Sequence, residues 1–98
     1  MTEQPITVIA TIRIRPGHER AALDAIRHCV AQSRLEKTNI SYQCHRDIGD
    51  GDIFVFVERW ASPAALAEHE TTPHFRAMAE VFRTALAEPL HVRITREI

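Results

Sequence analysis

Residues 69 to 75 read "HETTPHF", a short stretch that places two histidines and a glutamate close together. Ligands four residues apart lie on one helix face, which is how a His-Glu-x-x-His helix presents two histidines to zinc. Here His69 and His74 are five residues apart, and Pro73 breaks the helix between them. A straight helix with that spacing would leave the two side chains about 140° apart. With no third ligand at a suitable spacing, the sequence predicts no metal site.

The proline break also predicts different electrostatic environments for the two histidines. His69 would end a short helix, where the helix dipole favours the imidazolium, and His74 would begin the next helix, where it favours the neutral ring. Two groups whose pKa values are shifted in opposite directions can act as an acid and a base. We therefore expect His69 to have the higher pKa. The alternative is that one histidine lies at the surface and the other packs under the sheet edge.

A predicted strand at residues 53 to 60 carries four side chains spaced by two, which therefore share one face. These side chains are Phe54, Phe56, Glu58 and Trp60. A carboxylate on an aromatic face is costly to bury without a partner, and a histidine from the following helix is a natural partner. We expect Glu58 to orient one of the histidines. An arginine at the strand edge is the alternative partner.

Together these residues predict an apolar pocket with a few convergent polar groups. The candidate catalytic residues are His69, His74 and Glu58. The candidate substrate-binding residues are Tyr42, Phe54, Phe56, Trp60, Phe75 and Met78. Tyr42 is expected to hydrogen-bond the substrate, whereas core packing is the alternative role for Phe54 and Phe56.

The elements that must position these residues follow from residue periodicity and helix start signals. The predicted elements are strands at 6–14, 40–46, 53–60 and 89–97, a helix at 18–35, a short helix from Ser62-Pro63, and a final helix from Thr72-Pro73. The "GDGD" turn at 49 to 52 predicts a hairpin between the second and third strands. The predicted order is therefore β-α-β-β-α-α-β.

The composition predicts one compact domain over residues 1–98. The net charge of -1 and the scattered basic residues exclude the electrostatic pattern of a nucleic-acid or membrane-surface protein. No apolar run approaches the ~20 residues of a membrane helix. The N-terminal residues do not resemble a signal peptide. The two cysteines are too few for a disulfide framework, so we expect a cytoplasmic protein.

Two of the predicted strands are apolar on both faces, at residues 6–12 and 53–57. An antiparallel strand with one solvated face should instead alternate between apolar and polar residues. Because the helices can cover only one side of the sheet, we expect a second copy to cover the other side. Local packing at the strand ends is the alternative explanation.

The stretch "VERWASPAALAEHETTPHF" at 57 to 75, with "EKTNISYQCHRD" at 36 to 47, resembles the antibiotic biosynthesis monooxygenase domain family. Members commonly have a glutamate ahead of a tyrosine strand, then Glu-x-Trp, a Ser/Pro helix start, and a histidine before a His-Phe step. The resemblance implies a ferredoxin-like α+β fold with a four-stranded antiparallel sheet, paired into a dimeric α/β barrel. It also implies a hydrophobic pocket in each subunit.

The resemblance further implies an activity like that of the quinol monooxygenases, which use no metal or flavin. Their substrate would be a small aromatic quinol or phenol, with molecular oxygen as the second substrate. The haem-degrading branch is disfavoured, because its iron-ligand histidine corresponds to Ala79 and its tryptophan to His69. A dimer that binds a small ligand without catalysis, and an isomerase of the same fold, are the alternatives.

Overall fold

The computed structural model describes residues 4–98 as four strands and three helices. The strands are β1 (Ile6–Arg13), β2 (Asn39–Arg46), β3 (Ile53–Trp60) and β4 (His91–Thr95), and the helices are α1 (Glu19–Ser33), α2 (Pro63–His69) and α3 (Pro73–Ala85). The predicted order is confirmed. Of the domain predicted over residues 1–98, residues 1–3 lie outside the described part. Within 4–98, no helix combines the length and apolar character needed to cross a membrane.

The four strands form one antiparallel sheet in the order β2-β3-β1-β4. The two central strands, β1 and β3, pair along their full lengths, from Ile6 opposite Trp60 to Arg13 opposite Ile53. The predicted ferredoxin-like α+β arrangement is therefore confirmed. Pairing of such sheets into a dimeric barrel remains a prediction.

The core lies between one face of this sheet and the helices. Alternate residues of β1, from Ile6 to Ile12, are buried on that face, and so are the four side chains from Phe54 to Trp60 on β3. On the opposite face Ile9 is 40% exposed beside the half-buried Val57. The helices thus cover one face, and coverage of the other face by a second copy remains a prediction.

The two short-range helix start signals determine where α2 and α3 begin. The Ser62 side chain accepts a hydrogen bond from the backbone N–H of Ala65 (3.1 Å), and Pro63 is in the first turn of α2. Thr72 accepts in the same way from Phe75 (3.3 Å) before α3. These caps satisfy N–H groups that have no partner inside a helix. The chain consequently turns sharply between His69 and His74.

Candidate active site

The two histidines of the opening stretch meet at a third residue, Glu36. His69 Nδ1 lies 2.7 Å and His74 Nε2 2.8 Å from the same carboxylate oxygen, Oε2 of Glu36. The imidazole rings are 5.9 Å apart. The expectation that the two side chains would diverge is therefore wrong. The helix break that was expected to separate them instead turns the chain so that both rings face Glu36.

Local hydrogen bonds hold each member of this cluster in place. The Thr72 hydroxyl donates to the backbone carbonyl of His69 (2.7 Å) while it caps α3, so one residue ties the two helix ends together. Glu36 lies in a tight turn after α1, where its N–H donates to Ser33 and its carbonyl accepts from Asn39, each at 3.1 Å. The cluster is therefore positioned by backbone structure rather than by flexible side chains alone.

Glu58 does not orient either histidine, so that prediction is wrong. Its carboxylate accepts a hydrogen bond from the Trp60 indole N–H at 2.9 Å. Neighbouring inward-facing side chains on a strand are near enough for this contact, and Glu36 already accepts a hydrogen bond from one nitrogen of each histidine. Burial raises the pKa of the Glu58 carboxyl to about 7; the Trp60 hydrogen bond opposes this shift, and the charges of Glu70 and Glu36 add to it.

The pKa of His69 is also shifted in the direction opposite to the one expected. Its side chain is 1% exposed, and burial lowers its pKa, although the hydrogen bond to Glu36 acts the other way. The helix that it ends has seven residues. The dipole of so short a helix is outweighed by the loss of hydration around a ring packed 4.4 Å from Trp60 and 5.2 Å from Phe75.

A cavity of about 620 Å³ lies between the sheet and helices α2 and α3. Six of the predicted site residues line it: Tyr42, Phe56, Glu58, His69, Phe75 and Met78. Apolar residues of β1 complete the sheet wall, and the half-exposed Leu90, Val92 and Ile94 lie at the opening. A volume in this range suits a small organic molecule.

Three predicted site residues do not line this cavity. Trp60 is fully buried beside it, where it contacts His69 and donates to Glu58. His74 is linked to the cavity wall only indirectly, because it is hydrogen-bonded to Glu36, which is in turn hydrogen-bonded to His69. Phe54 lines a different groove, between α1 and β2, where the Arg46 guanidinium lies 4.9 Å from its ring centre. Trp60 and His74 thus support cavity residues, and Phe54 belongs to the core.

Tyr42 contributes its ring to the cavity wall, while its hydroxyl is engaged elsewhere. The hydroxyl oxygen is 3.6 Å from Cys29 Sγ, and Cys29 is in turn 3.6 Å from the Ser33 hydroxyl. Burial raises the pKa of Tyr42, and the nearby Glu58 carboxylate adds to this shift. The hydroxyl is therefore neutral in the folded protein and is held by the core below the cavity.

Glu36 is the site residue that the sequence reasoning missed. It lies 33 residues before His69, so no local spacing connects them. The one available signal was the family pattern, which includes a glutamate ahead of the tyrosine strand. Together with His69 and His74 it forms a group whose ligand atoms all lie within 4.8 Å of one another, a donor set able to bind a metal ion.

Three similarities to known proteins each cover most of the chain. The family model for antibiotic biosynthesis monooxygenase matches residues 5–81. "Probable quinol monooxygenase YgiN" of Escherichia coli K12 is 34% identical, over 91% of this chain and 94% of its own length. The crystal structure of PA3566 from Pseudomonas aeruginosa superimposes with a TM-score of 0.91 at 32% identity, over 100% of this chain and 98% of that one.

A further relative, "Uncharacterized protein sll1783" of Synechocystis, is longer than this chain. It is 30% identical over 94% of this chain, and the chain spans 63% of its length. The similarity is therefore to one domain-sized part of that protein.

Proposed function

The chain belongs to the antibiotic biosynthesis monooxygenase family, and on that premise we propose that it oxidises a small aromatic quinol or phenol with molecular oxygen, without a cofactor. The observation that carries this proposal is the pair of buried titratable groups, His69 and Glu58, at the wall of a largely apolar cavity. The other charged residues that line it are exposed: Arg15, Glu70, Arg83 and Glu88. Proton transfer and exclusion of water are what this chemistry requires of a protein.

His69 is the proposed base. Because the Glu36 carboxylate accepts from Nδ1, the ring proton is assigned to Nδ1, and Nε2 retains its lone pair. Within residues 4–98, Nε2 has no hydrogen-bond partner, and the ring borders the cavity. Nε2 can therefore accept a phenolic proton, while Glu36 orients the ring and stabilises the imidazolium that forms. Glu36 thereby has the orienting role that was expected for Glu58.

Glu58 is the proposed acid. With a pKa of about 7 it retains its proton in a large fraction of molecules near neutral pH. A buried carboxyl of this kind can donate a proton during the reaction, while a nearby group with a lower pKa acts as the base. The lowered pKa of His69 and the raised pKa of Glu58 fit this division.

The proposed reaction balances without a metal or flavin. His69 removes the phenolic proton, and the electron-rich phenolate passes one electron to oxygen. The two radicals combine at a ring carbon to give a peroxide anion, which takes the proton back from His69 and becomes a hydroperoxide. Glu58 protonates the distal oxygen, which leaves as water as the O–O bond breaks, and the ring carbon loses its hydrogen as a proton to the Glu58 carboxylate. One oxygen atom of O₂ is then in the quinone product and the other is in water.

We also propose a homodimer in which the exposed sheet faces of two subunits pack against each other. Ile9 is adjacent to Val57 on that face, and Thr11 is adjacent to Val55, so an apolar strip crosses the two central strands. Such a strip is stabilised when a second sheet covers it. We also propose a cytoplasmic location, which is compatible with the free thiols of Cys29 and Cys44.

Oxygen uptake with a panel of one-ring to three-ring hydroquinones, in the presence of a chelator, tests this function. We expect uptake above the blank, and a rate lower by roughly 10²–10⁴ in His69→Gln with substrate binding retained. His28→Gln is the control, because His28 is exposed on α1. Tight binding without oxygen uptake would instead identify a non-catalytic binding protein. Product formation without oxygen would identify an isomerase.

A further inference from the structure

Glu36, His69 and His74 form a second kind of site on the side of His69 that faces away from the cavity. We infer that these three residues bind a divalent metal ion of the Zn²⁺ type. Two imidazoles and one carboxylate are a donor set that proteins use for zinc, with a fourth position left for water. The three residues come from the α1–β2 turn, the end of α2 and the start of α3, so an ion would join three segments of the chain.

The charge and burial of the cluster favour a cation at this point. The Glu36 side chain is 14% exposed, and within residues 4–98 its ion-pair partners are the two imidazoles, not a lysine or an arginine. A carboxylate so placed needs positive charge or hydrogen-bond donors around it. Two N–H groups meet this need when no ion is bound, and a divalent cation would meet it more strongly.

The geometry needs a small adjustment to hold zinc. Tetrahedral coordination at about 2.0–2.1 Å separates two ligand atoms by about 3.3 Å. The N–O distances of 2.7 and 2.8 Å must therefore widen by roughly half an ångström. His69 is held by its ring contacts with Trp60 and Phe75, but His74 is 13% exposed at the edge of the cluster. The same tetrahedron requires the two ligand nitrogens, which lie within 4.8 Å of each other, to be about 3.3 Å apart. Shifts of Glu36 and His74 can meet both requirements, and solvent can supply the fourth ligand.

Metal binding at this site would change the chemistry of His69 in the cavity. A metal ion needs the lone pair of Nδ1, which carries the ring proton in the hydrogen-bonded cluster. The proton therefore leaves Nδ1 and a proton binds Nε2, so that the ring stays neutral. His74 exchanges its proton in the same manner, from Nε2 to Nδ1. Nε2 of His69 then donates a hydrogen bond into the cavity and cannot accept a phenolic proton.

We therefore expect zinc to inhibit the oxidation rather than to support it. This consequence rests on the proposed function, whereas the metal site itself does not. The direct test is isothermal titration calorimetry of the metal-free full-length protein with Zn²⁺. We expect one ion per subunit with a dissociation constant in the low micromolar range or tighter.

Three variants test whether zinc binds at this site or at other histidines of the protein. Glu36→Gln and His74→Gln should each bind Zn²⁺ at least ~100-fold more weakly than the unmodified protein. Removing a residue that only hydrogen-bonds to a metal ligand already lowers metal affinity ~10–100-fold, and removing a ligand itself should lower it further. His28→Gln should bind as the unmodified protein does. Absence of stoichiometric binding in the unmodified protein would overturn the site, and so would binding that survives in both Glu36→Gln and His74→Gln. Circular dichroism checks that each variant is folded.

The tautomer change has its own readout, independent of turnover. In ¹⁵N NMR spectra, His69 Nε2 should change from an unprotonated to a protonated nitrogen when zinc binds. Inhibition of oxygen uptake should follow zinc occupancy and be reversed by a chelator. Unchanged Nε2 in the zinc-bound protein would overturn the proposed coupling. If no quinol is oxidised even without zinc, the proposed function fails, while calorimetry and NMR still decide the metal site.

Discussion

Two carboxyl groups near the cavity, the buried Glu58 and the partly buried Glu36, have different partners, and this difference separates their roles. Glu36 receives two imidazole N–H groups at 2.7 and 2.8 Å, whereas Glu58 receives only the Trp60 indole at 2.9 Å. The Glu58 carboxyl lies among apolar side chains that raise its pKa to about 7. The fold therefore has a pH-dependent stability cost at Glu58.

We expect Glu58→Gln to remove this pH dependence. The folded pKa of about 7 is above the ordinary value of 4.5, so between these values the folded protein binds more protons than the unfolded chain. Stability from Glu58 is thus present below the ordinary pKa and is lost as the pH rises through the folded pKa. At about 1.4 kcal/mol per pKa unit, the unmodified protein should lose roughly 3 kcal/mol relative to Glu58→Gln across this window.

The measurement is the free energy of urea unfolding for both proteins near pH ~4 and ~8. Glutamine can still accept from the Trp60 indole, so the comparison changes the charge and keeps the hydrogen bond. Glu68→Gln is the matched control, because Glu68 is an exposed glutamate on α2. A constant difference between Glu58→Gln and the unmodified protein at both pH values would contradict the account of Glu58.

At this scale, residue types could be predicted from the sequence, but side-chain pairings could not. His69, Glu58, Phe56, Phe75 and Met78 all line the cavity, and their roles toward a substrate stay predictions. The predicted partner was wrong, because Glu58 on the preceding strand was chosen over Glu36, which lies 33 residues before His69. Such pairings depend on how loops come together in three dimensions, and residue spacing carries no information about that.

At the scale of elements, the break between α2 and α3 is what assembles the site. Thr72 ends one helix and begins the next: its hydroxyl donates to the His69 carbonyl and accepts from the Phe75 N–H. The start signals were readable, since Ser62-Pro63 and Thr72-Pro73 occupy the predicted cap positions. The sequence does not predict the direction in which the chain turns between the two helices. This direction brings His74 to Glu36.

We expect Thr72→Ala to lower the free energy of unfolding by about 1 kcal/mol, because the cap of α3 is lost. Thr72→Ser should restore most of it, since serine keeps the hydroxyl. The control is Thr71→Ala, because Thr71 is the exposed neighbour whose hydroxyl donates to Glu68 outside the cluster; its effect should stay within ~0.5 kcal/mol. Urea unfolding measures all three, and equal effects at both threonines would contradict the capping role.

Strand and helix positions followed from periodicity with small errors at the ends. β3 has the predicted limits of 53 and 60, and α1 runs from 19 to 33 where 18 to 35 was predicted. The largest difference is β4, which is limited to 91–95 because its pairing with β1 ends at Thr7 and Thr11. Sheet pairing, and not the local pattern of residues 89–97, decides where that strand begins and ends.

At the scale of the whole molecule, the sheet face opposite the helices is the feature that the single chain leaves uncovered. We expect Val55→Asp and Val57→Asp each to convert a dimer into monomers, because each places a charge in the apolar strip that contains Ile9. A buried, unpaired charge in an assembled interface should lower stability by several kcal/mol. Analytical ultracentrifugation distinguishes the two states.

Ala21→Asp is the control for this experiment, because Ala21 is exposed on α1 and lies away from the sheet. It should leave the sedimentation behaviour unchanged. A monomer for the unmodified protein at micromolar concentration would contradict the dimer. The two-faced apolar pattern of the strands would then be explained by the fold of one chain.

The proposed function requires that this cavity place one oxygen atom from O₂ into an aromatic substrate. The most direct test is mass spectrometry of the product formed from a hydroquinone under ¹⁸O₂ in unlabelled water, after correction for quinone exchange with solvent. We expect a product heavier by one ¹⁸O atom, formed far more slowly by His69→Gln. A quinone product without ¹⁸O, or unchanged substrate after prolonged incubation of a protein that binds it, would contradict the claim.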